Sequence, residues 1–158
     1  MKEILREVGM IARCFESISN IEFKEYDLAK GQYLYLVRIC ENPGIIQERV
    51  AELLKVDRTT ASRAIKNLVS NGFIQKTGDS VNKKIWRLFA TEKGTRIHAF
   101  LQKEEEYSDE TALSGFAAEE KNVVLRLLRR MRMNIEADWD LVKRGGKRRY
   151  LADKGTGY

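Results

Sequence analysis

The most constraining feature of this 158-residue chain is a change of apolar periodicity near its middle. From Arg58 to Asn71, apolar residues recur at helical spacing and leave a second face of hydroxyl, amide and basic side chains. After Gly72 the period becomes two, with β-rich runs over residues 73–77 and 84–90. The segment therefore predicts one amphipathic helix followed directly by a β-hairpin with a polar, basic tip.

Helical periodicity covers most of the remaining chain, which contains a single proline. Asp57 and Thr91 stand where they can cap the helices that follow them. The other predicted helices are an N-terminal helix carrying Ile4 to Ile18, a second from near Ala29 to before Asn42, a third over Gln47–Leu54, one after Thr91, and a last from Ala118 to about Val142, with a loop or break over 108–117.

This pattern predicts a mainly α fold with a small β wing. We expect a winged helix-turn-helix domain over residues 29–91, because two short helices joined by a capped turn precede the hairpin. Residues 1–28 and 92–142 then form a helical dimerisation region drawn from both ends of the chain. Residues 143–158, with four glycines and six basic side chains, are expected to form a flexible tail.

The net charge of +6 is concentrated in the predicted winged domain. Residues 55–93 carry nine basic and three acidic side chains. A local excess of this kind indicates a polyanionic partner that meets the middle of the chain, with the tail as a second contact.

Other classes of protein are disfavoured by what the sequence lacks. Two cysteines, no apolar run of about 18 residues and no signal-peptide pattern predict a cytoplasmic protein that is not in a membrane. His98 is the single histidine, so no metal-ligand cluster or catalytic triad is evident, and there is no glycine-rich phosphate loop. We expect neither a cofactor nor enzymatic activity.

A helix with hydroxyl and basic side chains on its outer face suits the major groove of double-stranded DNA, where such groups bind base edges and phosphates. Arg63 is the best candidate because it projects opposite the centre of the apolar face. The predicted DNA-binding residues are Arg58, Thr59, Thr60, Ser62, Arg63, Lys66 and Asn67 on the helix, and Lys76, Asn82, Lys83 and Lys84 on the hairpin.

The order of elements resembles the MarR family of bacterial regulators over nearly the whole chain. The matching stretches are Leu28 to Tyr33, Val56 to Arg63, Leu68 to Ile74, and Ala90 to Gly94. The resemblance implies an obligate homodimer on a pseudo-palindromic operator, associated with the nucleoid when bound. It also implies a regulator, more often a repressor, that a small aromatic or anionic effector releases.

The wing departs from the pattern that this family shows. MarR wings usually carry Asp-x-Arg, in which the two side chains pair to brace the hairpin, and here Asn82-Lys83-Lys84 stand at those positions. Asn82 has no charge, and Lys84 lacks the planar fork of arginine. We therefore expect a looser wing.

Three further questions stay open at the level of sequence. A winged helix can bind protein instead of DNA, and a redox-switched regulator would use Cys14, although apolar periodicity favours Cys14 and Cys40 as buried residues. Phe15, Tyr33 and Val37 are candidates for an effector pocket and equally good core residues.

A dimer would bury the apolar stripes of both chain ends, namely Ile4, Val8, Ile11, Phe15, Leu127, Leu128, Met131 and Ile135.

Overall fold

The structure, a computed structural model, describes residues 2–152 of the chain. These fall into two compact units, within residues 1–107 and 108–158 respectively, and each unit is described by itself. Within the described residues, no helix is both long enough and apolar enough to cross a membrane.

The described part of the first unit contains four complete α-helices, most of a fifth, a short 3-10 helix and a small sheet. Its helices are α1 (Glu3–Glu22), a short 3-10 helix (Phe23–Tyr26), α2 (Gln32–Glu41), α3 (Gln47–Leu54), α4 (Arg58–Ser70) and the greater part of α5 (Glu92–Ala112). The bounds of α3 and α4 agree with the sequence pattern to within one residue. The fold is mainly helical with a small antiparallel sheet, as predicted.

The sheet has three strands, β1 (Ile45–Ile46), β2 (Ile74–Gly78) and β3 (Trp86–Ala90), in the order β1-β3-β2. β2 and β3 form the predicted hairpin, whose register runs from Ile74 opposite Ala90 to Gly78 opposite Trp86. Since paired residues point to the same side, Ile74, Lys76 and Gly78 share a face with Ala90, Leu88 and Trp86. We call this the inner face, because Ile74 and Leu88 are buried in the core.

The core of the first unit lies between α2, α3, α4, α5 and the inner face of the sheet. Its fully buried members include Leu36, Ile39, Ile65 and Phe73. Two apolar residues of these helices, Leu53 of α3 and Val69 of α4, are exposed because they lie at the edges of their apolar stripes.

The start of α5 is held against the hairpin by Thr91 and Gly94. The Thr91 hydroxyl donates to the carbonyl of Gly72 (2.6 Å) and accepts from the Gly94 N–H (3.1 Å), as predicted for a capping residue. A Cβ on Gly94 would stand 2.1 Å from the carbonyl oxygen of Phe73. Only glycine permits this approach of helix to hairpin.

Two predicted boundaries are wrong. α2 begins at Gln32 instead of near Ala29, because Gly31 has a positive φ of 71° and the Gln32 side chain accepts from the Ala29 N–H (3.1 Å). The break predicted over 108–117 is shorter, since α5 continues to Ala112. Nothing in residues 108–112 breaks a helix, and the first positive φ after them is at Gly115.

In the second unit, α6 (Ala118–Lys143) begins with the Glu120 carboxylate accepting from the Ala117 N–H (2.8 Å). None of its residues is buried. A short helix, α7 (Arg149–Ala152), follows, and Arg148 pairs with Asp138 of α6 at 2.7 Å. The predicted flexible tail thus includes a helical turn and an ion pair within residues 143–152, and its residues 153–158 lie outside the described part.

Candidate nucleic-acid interface

The polar face of α4 is presented to solvent by a capped and buried helix. The Asp57 carboxylate accepts from the backbone N–H of Thr60 (2.7 Å), which confirms the predicted N-cap. Ala61, Ile65 and Leu68 are completely buried along the opposite side. Because one face of α4 is buried in the core, the helix cannot turn about its own axis. Its polar side chains therefore stay at the surface.

Five predicted residues of α4 line one open groove. The groove has a volume of about 500 Å³, and Gln47 at the start of α3 completes its wall. The α4 members, which we call the α4 polar face, are Arg58, Thr59, Ser62, Arg63 and Lys66. Gln47 was not predicted as a residue of this site, although the sequence pattern places it at the first position of the helix that precedes α4.

Thr60 and Asn67 are exposed but do not line the groove. The Thr60 hydroxyl donates to the second oxygen of Asp57 (2.8 Å), so its proton is already engaged in the cap. The backbone carbonyl of Asn67 accepts from Asn71 at the end of the helix.

The cations of this region divide into paired and unpaired groups. Arg49 pairs with Glu52 at 2.6 Å, and Lys93 lies 4.0 Å from Asp27. Within the described residues, six others have no carboxylate partner: Arg58, Arg63, Lys66, Lys76, Lys83 and Lys84. Because nothing in the described chain neutralises them, their charge is available to an external anion.

The wing is braced, which corrects the expectation of a loose hairpin. Asp79 accepts from Arg87 Nε at 2.5 Å and from the backbone N–H groups of Val81 (3.1 Å) and Asn82 (2.9 Å). Arg87 also donates to the carbonyl of Gly44 (3.0 Å). The aspartate–arginine pair thus exists, formed by other positions than those where the family pattern places it.

The brace also affects ionisation. Hydrogen bonds from the Asn82 backbone N–H and from the Arg87 side chain hold the pKa of Asp79 below its usual value. The carboxylate is therefore charged throughout the neutral range and keeps the wing turn in place.

The predicted DNA-binding residues of the wing lie in or next to this turn and on β2. The Asn82 side chain accepts from the Lys84 N–H (3.1 Å), so Asn82 shapes the turn. Lys83 and Lys84 are exposed at the tip. Lys76 is exposed on the inner face, opposite Leu88.

The candidate pocket residues line neither the groove beside α4 nor a second cavity in the first unit. Tyr33 and Val37 pack partly buried against the core, with the Tyr33 ring 5.0 Å from that of Phe23, and Phe15 is half-buried on α1. The second cavity has a volume of about 540 Å³. It is lined by Ile21, Glu22, Glu25, Tyr26, Phe100, Lys103, Glu104 and Tyr107.

The two cysteines differ in environment. Cys14 is exposed on α1, contrary to the expectation of a buried residue, because the α1 surface around it is largely uncovered within the single chain, where Ile11 and Ile18 are exposed as well. Cys40 is partly buried, and burial raises the pKa of its thiol to about 11. Among residues 2–152, no group of three His, Cys, Asp or Glu side chains could hold a metal ion.

Comparison with known proteins places the chain in a family. The sequence model of the MarR family matches residues 28–86, from two residues after the 3-10 helix to the first residue of β3. The uncharacterized HTH-type transcriptional regulator YybA of Bacillus subtilis (strain 168) is 63% identical over 150 residues, which cover 95% of this chain and 100% of that protein. The chain belongs to the MarR family. It is a transcriptional regulator and not an enzyme.

Solved structures of other MarR proteins agree with this fold. A MarR family regulator from Listeria monocytogenes, crystallised in complex with 26mer DNA, superposes with a TM-score of 0.90 at 56% identity, covering 94% of this chain and 99% of that one. The transcriptional regulator SlyA superposes with a TM-score of 0.85 at 57% identity, covering 88% and 98%. The resemblance predicted from short sequence stretches is thereby confirmed.

Proposed function

We propose that this MarR protein is a repressor that binds a pseudo-palindromic operator as a homodimer and is released by a small effector. The observation that carries the proposal is the α4 polar face, where the exposed residues of one capped helix line a groove beside unpaired cations. A groove of this kind suits the major groove of DNA, with arginine at base edges and lysine at phosphates. The DNA complex of the Listeria protein supports this assignment.

The dimer is supported by apolar surface on each unit. On α1, Ile4, Ile11 and Ile18 are 43–54% exposed, and on α6 Leu127 and Leu128 are 45% and 44% exposed. Rows of exposed leucine and isoleucine at helical spacing mark an interface between proteins. A second copy is the partner that a pseudo-palindromic operator requires.

The effector is proposed to be aromatic. The cavity in the first unit has three aromatic walls, Tyr26, Phe100 and Tyr107, of which the first two have ring centroids 4.5 Å apart. The same lining holds three acidic side chains, Glu22, Glu25 and Glu104, against one basic side chain, Lys103, so its net charge opposes an anion there. Of the two kinds of effector considered from sequence, the cavity favours the aromatic and disfavours the anionic.

In vitro selection of DNA by the full-length protein tests the proposal. We expect selected duplexes to contain two inverted half-sites whose centres lie about one helical turn, roughly 10 bp, or a multiple of it apart. Transcription in vitro from a promoter overlapping the selected site should fall when the protein is added. Recovery of single, unpaired half-sites contradicts the dimer, and activation of the promoter contradicts repression.

A further inference from the structure

Trp86 is a large aromatic side chain that the core does not use. It is the first residue of β3 and lies on the inner face of the hairpin, where Ile74 and Leu88 are 2% and 1% exposed but Trp86 is 56% exposed. Its partner across the strands is Gly78, which has no side chain to cover it. Apart from the chain neighbours of Gly78, no described atom lies within 4 Å of where a Cβ on Gly78 would stand.

The indole also lacks a polar partner. Within residues 2–152, its N–H has no acceptor and its ring has no aromatic or cationic neighbour at contact distance. A buried tryptophan usually satisfies its N–H with a hydrogen bond, and tryptophan is enriched at interfaces, where one end is apolar and the other is polar. Trp86 therefore presents both an apolar ring and an unused donor to whatever covers it.

The charges near Trp86 indicate which kind of partner that is. Lys76 shares the inner face with it, and Lys83 and Lys84 precede it at the tip. None of the three has a carboxylate partner in the described chain. Arg87, the next residue, is held by Asp79 and Gly44, so its charge is directed into the brace.

Trp86 also lies on the same hairpin as the predicted DNA-binding lysines. β2 packs on α4, and the inner face is the side of the hairpin turned towards the helices. Beyond the buried pair Ile74 and Leu88, the side chains of this face are Lys76 and Trp86. Along the hairpin they therefore lie between the end that packs on α4 and the basic tip, and the proposed function assigns both α4 and the tip to DNA.

We propose that Trp86 docks on the sugar–phosphate backbone, with its indole N–H donating to a phosphate oxygen and its ring against a deoxyribose. This inference rests on the proposed function and adds a residue to it. Because phosphates are the same at every base pair, the contact strengthens binding to all sequences equally and sets how the wing is seated. The contact is neutral, so it adds nothing to the dependence of affinity on salt.

The test uses the full chain with Trp139→Phe, which leaves Trp86 as the single tryptophan. A labelled duplex of mixed sequence and a duplex from in vitro selection serve as probes, and the anisotropy of the label reports binding. When DNA is bound, quenching of Trp86 fluorescence by acrylamide should fall at least twofold. Trp86→Ala should weaken both duplexes by about tenfold, and Trp86→Phe, which keeps a ring but loses the donor, by about threefold.

The controls separate the inference from the proposed function. Trp139→Phe alone should bind as the wild type does, and circular dichroism should show that both Trp86 variants are folded. If the wild type leaves the anisotropy of both duplexes unchanged, the proposed function and this inference both fail. If it binds while Trp86 stays fully accessible to acrylamide, the inference alone is overturned, and an effect confined to the selected duplex shows base reading and overturns the backbone contact.

Discussion

Helices α4 and α6 use apolar residues in opposite ways. α4 has 13 residues and completely buries Ala61, Ile65 and Leu68, whereas α6 has 26 residues and buries none. α4 is therefore stabilised inside its own unit and can present a rigid polar face to DNA. We propose that α6 is stabilised by a second subunit, because an isolated helix is only marginally stable in water.

The first prediction concerns the α4 side of this contrast and has the largest effect. Leu68→Ala should lower the free energy of unfolding by about 3 kcal/mol, because it leaves a cavity at a completely buried site. The loss should be the same at low and high protein concentration in urea titrations. Leu128→Ala is the matched control, and its cost should shrink on dilution as subunits separate. A cost for Leu68→Ala that vanishes on dilution contradicts the assignment of α4 to a self-contained core.

The second prediction concerns α6. Leu127→Glu should raise the dissociation constant of the dimer at least about 100-fold, because it places an unpaired charge in the proposed interface. Arg129→Gln makes the same change in net charge on the opposite side of the helix and should leave the dimer intact. Analytical ultracentrifugation measures both. Wild-type protein that sediments as a folded monomer at micromolar concentration rules out the dimer.

The third prediction compares lysines of the two regions. Lys84→Gln should weaken binding to every duplex alike and reduce the slope of log affinity against log salt by about one per subunit, as expected for a lost phosphate contact. Lys121→Gln, on α6, should change neither quantity. Equal effects of the two substitutions would show that charge acts through the whole molecule and not through the wing.

The smallest effect is expected at the wing brace. Because the folded-state pKa of Asp79 is lowered, its carboxylate stabilises the turn above the unfolded pKa of about 3.9, and this contribution disappears as pH falls through the folded value. The NMR signals of the Val81 and Asn82 amides should be constant from pH 8 to 5 and broaden only below about pH 4. Asp79→Asn should broaden them at neutral pH, while Asp109→Asn should not. Sharp signals in the Asp79→Asn protein would show that the brace is dispensable.

Local signals made much of this molecule predictable from sequence. The Asp57 cap, the bounds of α3 and the switch from helix to hairpin at Gly72 each depend on residues a few positions apart. The α4 polar face followed from them, since a helix with one buried side has its outer side determined.

Features that depend on where separate segments meet were not predicted. The brace between Asp79 and Arg87 depends on the hairpin register, which brings the two side chains together. It also depends on the carbonyl of Gly44, which is 43 residues before Arg87 in the sequence. The exposure of Trp86 depends on where the core ends along β3. The alternation of side chains along a strand identifies only which face of the sheet a residue is on. Cys14 fits an apolar stripe, but the pattern cannot distinguish a stripe buried in its own chain from one left for a partner.

The salt dependence of DNA affinity in wild type and in Arg63→Ala shows whether α4 and the wing form the DNA-binding surface. If α4 and the wing grip DNA, log affinity should fall with log salt at a slope matching about 6 to 10 phosphates per dimer. Arg63→Ala should lose at least about tenfold in affinity, whereas Arg126→Ala on α6 should lose nothing. A flat salt dependence would exclude binding through phosphates, and full affinity in Arg63→Ala would exclude the α4 polar face as the DNA-binding surface.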